Sequence, residues 1–268
     1  MSDLENYIEI NKKLWNDKTK IHIKSEFYNN KKFLITKQSL NPLEIDLLGD
    51  IKNKSILHLQ CHFGQDSISL ANMGAEVTGI DLSDAAINEA KLLAKQVEVD
   101  LEFICSNIYD LPKVLNRKYD IVFTSYGTIG WLPDLDKWAK VVDNFLKPGG
   151  EFLIVEFHPV VWMFDDQFSK IEYSYFNTNA IIEEIKGTYA DFNADIINKS
   201  VTWNHPIDEV ISSLLKVNLQ ITHFKEYDFS PYPCFRNVYE VEKDKYRIKG
   251  LDDKIPMIFS LKAGKKQD

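Results

Sequence analysis

Short apolar runs alternate with longer amphipathic stretches between residues 55 and 157. The apolar runs predict β-strands at 55–59, 76–81, 101–105, 119–124 and 150–157. The amphipathic stretches between them predict helices near 65–73, 83–96 and 135–146. Because most of these strands are apolar throughout, the pattern is typical of a parallel sheet that is covered by helices on both faces.

The regular alternation ends after Phe157. Residues 159–204 predict short strands at 171–176, 181–185 and 196–197. We interpret this stretch as a β-rich lid that is inserted over the carboxyl edge of the sheet, within the same domain. A helix at 206–217 and strands at 219–227 and 257–261 would then bring the sheet to seven strands. The prolines in 227–235 indicate a loop or an edge.

The first 50 residues predict a helical cap. Ser2 and Glu5 match a capping box at a helix start, and Asn41–Pro42 and Gly49 match the start and end of a second helix. The apolar residues of the first helix fall near one face: Leu4, Tyr7, Ile8, Leu14 and Trp15. We therefore expect an N-terminal cap (1–50), a core (51–158 and 205–268) and the lid (159–204).

Composition and charge argue against several classes of protein. Of the 268 residues, 44% are hydrophobic, which is enough for a large core and speaks against disorder. The net charge of −8 speaks against a nucleic-acid partner. Cys61, Cys105 and Cys234 have no paired spacing, so neither a disulfide framework nor a metal site is expected. An acidic start without an apolar h-region, and no apolar stretch long enough for a bilayer, predict a cytoplasmic protein without a membrane partner.

Candidate chemistry follows the ends of the predicted strands, where ligands bind in doubly wound sheets. Asp81 ends the second strand, and its carboxylate can accept hydrogen bonds from two adjacent ribose hydroxyls. The alternative is an acid that starts a helix or faces solvent. Asn107 follows the third strand and can offer its amide to an adenine edge, or it can be a turn residue. Ile108 can pack on the adenine ring.

The order of these segments resembles the class I S-adenosylmethionine-dependent methyltransferases. The resemblance runs from about Ser55 to Phe157 and rests on Leu57–Gly64, Gly79–Ser83, Ser106–Pro112, Tyr119–Thr124 and Leu146–Leu153. It implies a doubly wound, Rossmann-like α/β fold with a seven-stranded, mostly parallel sheet whose last strand is antiparallel. It also implies S-adenosyl-L-methionine as the cofactor. The chain is most similar to a bacterial subgroup that carries His-Leu-Gln-Cys-His-Phe-Gly in its first loop.

The first loop departs from the family pattern. His58 stands where the family has an acid, and Gln60 and His62 replace two of its glycines. We hypothesise that Gln60 or His62 hydrogen-bonds the methionyl part of the cofactor; alternatively, both side chains point into strand–helix packing. Gly64 would let the backbone approach the ligand. The residues expected to bind the cofactor are Tyr28, Gln60, His62, Gly64, Asp81, Leu82, Asn107, Ile108 and Ser125.

Three side chains are candidates for catalysis and five for substrate contact. A general base helps if the acceptor has a proton to lose, and His158, His205 and Tyr126 stand at segment ends expected to face the substrate. The histidines can equally be structural, with His205 capping the helix that follows it. Aromatic faces favour a sulfonium cation and can line an apolar cavity, although aromatic residues can also simply pack in the core. The five candidates for substrate contact are Trp131, Trp162, Trp203, Tyr227 and Tyr232.

These observations predict in-line methyl transfer to a small molecule, with the acceptor atom left open. A nicotinamide-dependent oxidoreductase would need Gly-x-Gly-x-x-Gly, which Gln60–Gly64 does not supply. A nucleic-acid methyltransferase is disfavoured by the charge and by Thr124–Gly127 in place of an Asn/Asp-Pro-Pro-aromatic tetrad. The altered loop keeps one alternative of another class, a catalytically silent adenosyl-binding or scaffold protein.

Overall fold

A central sheet organises the chain. The computed structural model of the protein describes residue 4 and residues 6–267. Its strands are β1 (Ser55–Leu59), β2 (Glu76–Asp81), β3 (Glu102–Cys105), β4 (Tyr119–Ser125), β5 (Leu146–Phe157), β6 (Ile181–Lys186), β7 (Ile197–Thr202), β8 (Gln220–Tyr227), β9 (Val238–Glu242), β10 (Lys245–Ile248) and β11 (Ile258–Gly264). Seven of them form one sheet in the order β3-β2-β1-β4-β5-β11-β8.

The pairing confirms the predicted fold class. β1 pairs in parallel with β2 on one side and with β4 on the other, while β3 and β5 extend the sheet in parallel. The last strand, β11, runs antiparallel between β5 and β8. Because the chain leaves β1 for β2 on one side and later returns to β4 on the other, the carboxyl ends of β1 and β4 flank the switch point where ligands bind in such sheets.

Helices cover both faces of the sheet. They are α1 (Tyr7–His22), α2 (Asn30–Thr36), α3 (Pro42–Leu48), α4 (Gln65–Asn72), α5 (Asp84–Gln96), α6 (Leu111–Val114), α7 (Leu135–Phe145) and α8 (Ile207–Lys216). The apolar residues of β1 alternate between the two faces. Leu57 and Leu59 join a buried cluster with α7 and α8, whereas Ile56 joins another with α3 and α4. The core is thus divided by the sheet, as a doubly wound fold requires.

Several elements differ from the sequence-based expectations. The strand predicted at 171–176 is wrong: only an isolated bridge joins Ile171 to Phe164, and Phe176 is 76% exposed. β5 begins at Leu146 rather than 150, because Leu146 already pairs with Tyr119 of β4. The short helix α2 and the hairpin β9–β10 were not predicted, since charged residues interrupt the apolar pattern in both segments.

The N-terminal helix packs on the inserted hairpin β6–β7. Asn11 donates its side-chain NH2 to the Val201 carbonyl at 2.7 Å and accepts the Val201 N–H at 3.0 Å. The expected apolar face is only partly correct, because Leu14 is buried but Leu4 is 53% exposed. Polar Asn11, Lys18 and His22 are buried instead. The capping box at Ser2 and Glu5 lies outside the described residues, and the division into cap, core and lid stays a prediction.

Candidate active site

A cavity of about 1070 Å³ lies at the carboxyl ends of the parallel strands, under α1 and residues from 159–204. Most of the predicted site residues line it: Tyr28, Gln60, His62, Gly64, Asp81, Leu82, Asn107, Ile108, Ser125, Tyr126, Trp131, Trp162, Trp203, His205 and Tyr232. His158 and Tyr227 do not line the cavity. The strand order therefore brings together residues that stand more than a hundred positions apart in the chain.

The loop after β1 has the left-handed backbone conformation that glycine favours, although two of its residues carry large side chains. Gln60, His62 and Gly64 have φ angles of 54°, 50° and 81°. This left-handed region costs a residue with a side chain about 1 kcal/mol or more. Gln60 and His62 occupy the positions where the resemblance implies glycine, so their side chains must be retained for a reason other than backbone conformation.

The side chains of Gln60 and His62 belong to the cavity wall. Gln60 donates its Nε2–H to the Thr128 carbonyl at 2.7 Å, and His62 Nε2 lies 2.8 Å from His22 Nδ1. Each side chain keeps one buried polar atom without a partner among the described residues, Gln60 Oε1 and His62 Nδ1. Buried polar atoms are normally paired, so these two atoms are available to a ligand. Their contact with a cofactor stays a prediction.

Asp81 connects this loop to the end of β2. Its Oδ2 accepts the His62 N–H and its Oδ1 the Ser83 N–H, both at 2.8 Å. Burial raises the Asp81 pKa to about 6. Ser83, rather than Asp81, caps α5, because its hydroxyl accepts the Ala86 N–H at 3.0 Å. Each Asp81 oxygen still has a lone pair for a ligand hydroxyl.

Gly64 is constrained by the protein itself. A Cβ at this position would lie 2.6 Å from Phe103 Cζ and 2.9 Å from Ala90 Cβ. These contacts come from β3 and α5, so the glycine allows the start of α4 to pack closely against both. The expected close approach of backbone to a ligand is an additional, untested role.

Asn107 and Ser125 both hold neighbouring groups. Asn107 Oδ1 accepts the Tyr109 N–H at 3.0 Å and caps the short turn that follows β3. This turn contact uses its oxygen and leaves its NH2 group for an adenine edge. Ser125 hydrogen-bonds the carboxylate of Asp66, which also accepts the Ser39 hydroxyl at 2.5 Å. Asp66 lines the cavity, and burial raises its pKa.

Glu156 fixes the position of the loop after β4, and this role of Glu156 was not predicted from the sequence. Its carboxylate is 2% exposed and accepts the backbone N–H groups of Gly127, Thr128 and Ile129, together with the Thr128 hydroxyl. The loop carries Tyr126 and Trp131 into the cavity wall. A carboxylate that directly follows the apolar run Phe152–Val155 is the sequence signal that could have revealed this residue.

Both candidate histidines have occupied ring nitrogens. His158 donates from Nε2 to Glu226 at 2.8 Å, and its Nδ1 accepts the Val160 N–H at 3.2 Å. His205 lies 2.8 Å from the Leu132 carbonyl through Nε2 and 3.0 Å from Glu209 through Nδ1. Neither ring therefore presents a free nitrogen to a methyl acceptor. The contacts favour a structural role over a catalytic one for both histidines.

Tyr126 differs from these histidines because it faces the cavity and is joined to a buried acid. It has φ 47°, and its hydroxyl donates to Glu44, which is 1% exposed. Burial raises the Glu44 pKa to about 7. Asn41 donates its N–H to Glu44 at 2.5 Å and its side-chain NH2 to the Tyr232 hydroxyl at 2.8 Å. Asn41, Glu44, Tyr126 and Tyr232 thus form one polar network.

The remaining wall is aromatic. Trp131 donates its indole N–H to the Gly127 carbonyl at 2.7 Å, and Trp203 packs edge-on against Tyr7 at 5.3 Å. Trp162 packs against Phe157 and Phe235. Tyr227 instead lies on β8 and is bonded to Ser260 at 3.2 Å, away from the cavity.

Sequence reasoning missed one helical stripe of the wall. Trp15 and Lys18 of α1 line the cavity, and His22 of the same helix contacts the rings of Tyr28, His62 and Tyr189. The Tyr28 and Tyr189 hydroxyls are 2.5 Å apart. The signal was present, because Asn11, Trp15, Lys18 and His22 recur at the three- and four-residue spacing of one helix face.

The described residues contain neither a metal-binding cluster nor a membrane-spanning helix. In residue 4 and residues 6–267, no three His, Cys, Asp or Glu side chains are grouped so that they could hold a metal ion. None of the helices described above has the length and apolarity needed to cross a bilayer.

The central segment of the chain is similar to a known family. Residues 56–150 match the family described as "Methyltransferase domain". The ubiquinone biosynthesis O-methyltransferase of Alkalilimnicola ehrlichii is 31% identical over 118 residues, which are 42% of this chain and 47% of the relative. The protein of the same name from Coxiella burnetii is 32% identical over 115 residues, 42% and 48% of the two chains. The chain thus spans about half the length of the curated relatives it matches.

Structural comparison extends the likeness to most of the chain. A methyltransferase from Mesorhizobium loti, described as S-adenosylmethionine-dependent, has a TM-score of 0.58 at 17% identity over 84% of this chain and 96% of that one. Geranyl diphosphate C-methyltransferase from Streptomyces coelicolor, solved with S-adenosyl-L-homocysteine, has a TM-score of 0.55 at 17% identity over 82% and 73%. The chain therefore shares its fold with these methyltransferases, and residues 56–150 match the methyltransferase-domain family.

Proposed function

We propose that the protein transfers a methyl group from S-adenosyl-L-methionine to a small-molecule acceptor. The observation that carries this proposal is positional: the segment matched as a methyltransferase domain contributes the strand ends that line the cavity. Ligand sites of small molecules commonly measure about 300–1,000 Å³. A cavity of about 1070 Å³ therefore has room for a cofactor and an acceptor together.

The residues present fit this cofactor. Asp81 has lone pairs for the two ribose hydroxyls, and Asn107 has an NH2 group for the adenine edge. Ile108, the neighbour of Asn107, lines the same part of the cavity and can pack on the adenine ring. The unpaired Gln60 Oε1 suits the α-ammonium group of the methionyl part, because a buried acceptor needs a donor. These assignments are consistent with membership of the bacterial subgroup that carries His58-Leu-Gln-Cys-His-Phe-Gly64.

The proposed chemistry relies on positioning. The bound cofactor supplies a sulfonium methyl that is open to in-line attack by a nucleophile. Trp131 and Trp203 give the acceptor an apolar wall that excludes water, which favours displacement at a cationic centre. Tyr28 packs on His62 at 5.6 Å and closes the wall near the loop after β1.

Tyr126 is the best placed of the predicted catalytic groups. If the acceptor carries an O–H, N–H or S–H group, Tyr126 can accept its hydrogen bond while donating its own proton to Glu44. Glu44, with its pKa raised to about 7, can hold that proton near neutral pH. Tyr126 would then act on the acceptor, and Glu44 would act through Tyr126.

The acceptor class follows from the wall and from the relatives. The curated relatives are named O-methyltransferases, and the Streptomyces coelicolor neighbour is a C-methyltransferase of a small organic molecule. The aromatic wall and the net charge of −8 suit a small organic acceptor better than a nucleic acid. A cytoplasmic location stays part of this proposal.

Calorimetry with S-adenosyl-L-homocysteine, 5′-methylthioadenosine and NAD tests the cofactor. We expect the two adenosyl thioethers to bind and NAD not to bind. A panel of phenols, amines, thiols and carboxylic acids, assayed for S-adenosyl-L-homocysteine production, then tests transfer. Failure of both thioethers to bind overturns the proposal, whereas binding without turnover on the whole panel favours the silent adenosyl-binding alternative.

A further inference from the structure

Lys18 is a buried cation enclosed by aromatic rings. It lies on α1, is 6% exposed and lines the cavity. Its Nζ is 5.0 Å from the ring centre of Trp15, 5.6 Å from that of Trp131 and 5.7 Å from that of Tyr189. These rings come from the N-terminal helix, the loop after β4 and the inserted segment 159–204. Three remote parts of the chain thus converge on one ammonium group.

Within the described residues, this ammonium group has no anionic partner. No hydrogen bond or ion pair joins it to another side chain, and burial alone lowers its pKa to about 8. The titratable groups that face it are neutral: burial lowers the pKa of His62 to about 3 and that of His22 still further, and it raises that of Tyr189. Lys18 is therefore still protonated in most molecules at neutral pH.

A cation in this position is costly without a counter-charge. Removing a lysine ammonium from water costs several kcal/mol, whereas cation–π contacts return about 0.5–2 kcal/mol each. The aromatic rings orient the group and exclude water but carry no formal charge. A ligand with an anionic group would complete the site, and the strength of its bond to Lys18 would be increased by the low local dielectric.

We infer that Lys18 binds a carboxylate of a ligand in the cavity, and this inference rests on the proposed methyltransferase function. The carboxylate can belong to the methionyl part of the cofactor or to the acceptor. Both are compatible with the position of Lys18, between His62 in the loop after β1 and Tyr189 in the inserted segment. The residue would be a recognition element that none of the strand-end motifs contains.

Paired ligands distinguish the two sources. S-adenosyl-L-homocysteine carries the methionyl carboxylate and 5′-methylthioadenosine lacks it, so calorimetry compares both on wild type, Lys18→Met and the control Lys20→Met. Lys20 is the next lysine of α1, and its side chain is 70% exposed in a surface pair with Asp17. If the cofactor is the source, Lys18→Met should weaken the homocysteine ligand at least tenfold and leave methylthioadenosine unchanged.

The acceptor source is tested on protein saturated with S-adenosyl-L-homocysteine. Benzoate is the probe and benzyl alcohol its neutral control. If the acceptor carries the carboxylate, Lys18→Met should weaken benzoate at least tenfold without affecting benzyl alcohol. No effect of Lys18→Met in either arm overturns the inference. If wild type binds neither adenosyl ligand, the proposed function fails first, so the two failures are distinguishable.

A measurement on wild-type protein covers the case in which Lys18→Met does not fold. Lysine labelled with carbon-13 at Cε reports the Lys18 titration by NMR, with Lys18→Arg assigning the signal. A bound carboxylate should raise the Lys18 pKa by at least one unit when its ligand is added. An unchanged Lys18 titration with both S-adenosyl-L-homocysteine and benzoate contradicts the inference.

Discussion

The two walls of the cavity are built differently. The strand-end wall, formed by Gln60–Gly64, Asp81, Asn107 and Ser125–Gly127, is held by carboxylates that accept backbone N–H groups. The cover wall, formed by α1 and cavity residues of 159–204, is held by ring contacts and side-chain hydrogen bonds across the chain. Hydrogen bonds from backbone N–H groups to a carboxylate fix the position of a loop closely. Contacts between aromatic rings allow more variation in the positions of the side chains. We therefore expect the strand-end wall to determine affinity for the adenosyl part of the cofactor and the cover wall to determine acceptor choice.

Glu156→Ala should give the largest effect, in the stability of the protein. The change leaves the N–H groups of half-buried Gly127 and of buried Thr128 and Ile129 without their acceptor, at about 1–3 kcal/mol for each unpaired group before water enters. We expect a loss of about 4 kcal/mol in the free energy of unfolding, measured by urea denaturation. Glu156→Gln keeps one carbonyl oxygen and should lose less; equal losses for both variants would contradict this role.

Asp81→Ala should weaken S-adenosyl-L-homocysteine about 100-fold or more. Hydrogen bonds to a charged acceptor contribute about 1.5–3 kcal/mol each, and the ribose would lose two. Asp84→Ala is the matched control, since Asp84 is exposed and pairs with Lys12 on the surface. Calorimetry measures both variants. Near-wild-type affinity in Asp81→Ala would show that the strand-end wall does not hold the ribose.

Asn11→Ala tests the cover wall. The variant removes the pair of hydrogen bonds to the Val201 backbone and should cost about 2 kcal/mol of stability, because both backbone groups are buried. We expect the KM of the acceptor to rise while affinity for S-adenosyl-L-homocysteine changes less than threefold. An equal loss of affinity for both ligands would mean that the two walls act as one.

Cofactor affinity should depend on pH through Asp81. Burial raises its pKa to about 6 in the folded protein, and only the ionised form accepts both ribose hydroxyls. Affinity should therefore fall about tenfold between pH 7 and pH 5, where about a tenth of Asp81 is ionised. Because the folded pKa exceeds the unfolded value of 3.8, Asp81 should also make the ligand-free protein less stable as the pH rises from about 4 to 6. Asp81→Asn should remove both dependences.

The smallest expected effect concerns the backbone of the first loop. His62 has φ 50°, so His62→Gly relieves a strained conformation that His62→Ala retains. The glycine variant should be about 1 kcal/mol more stable than the alanine variant, as thermal unfolding would show. Both variants lose the bond to His22 and should bind S-adenosyl-L-homocysteine equally. A more stable alanine variant would indicate that His62 is not strained.

The sheet was predictable because its signals are local. Each central strand is an apolar run, and Ser83 and Gly64 stand where the capping and turn rules place them. The hairpin β9–β10 was not predictable in this way, since charged residues alternate with apolar ones in Val238–Ile248. Apart from one bridge between Tyr246 and Ser230, its two strands pair only with each other. The predicted strand at 171–176 failed for the opposite reason: its apolar residues have the pattern of a strand but no partner strand to pair with.

The residues of the candidate site likewise divide into those that local signals predict and those whose role depends on distant parts of the chain. Asp81, Asn107 and Gly64 could be chosen because strand ends of a parallel sheet converge whatever the rest of the chain does. The roles of His158 and His205 could not be predicted from the sequence. A ring nitrogen of His158 contacts Glu226 and one of His205 contacts the Leu132 carbonyl, and both partners are distant in sequence. Glu156, two residues before His158, holds the loop after β4 instead, and this role was not predicted.

The sequence by itself determined the doubly wound sheet, the ligand edge and the acid at the end of β2, because periodicity and turn chemistry act over a few residues. Only the tertiary structure decided which side chains face the cavity, that Gln60 and His62 each keep an unpaired atom there, and that Lys18 lies among three rings. The physical reason is that burial and pairing depend on groups brought from distant segments, and these set the charge and hydrogen bonds of each side chain.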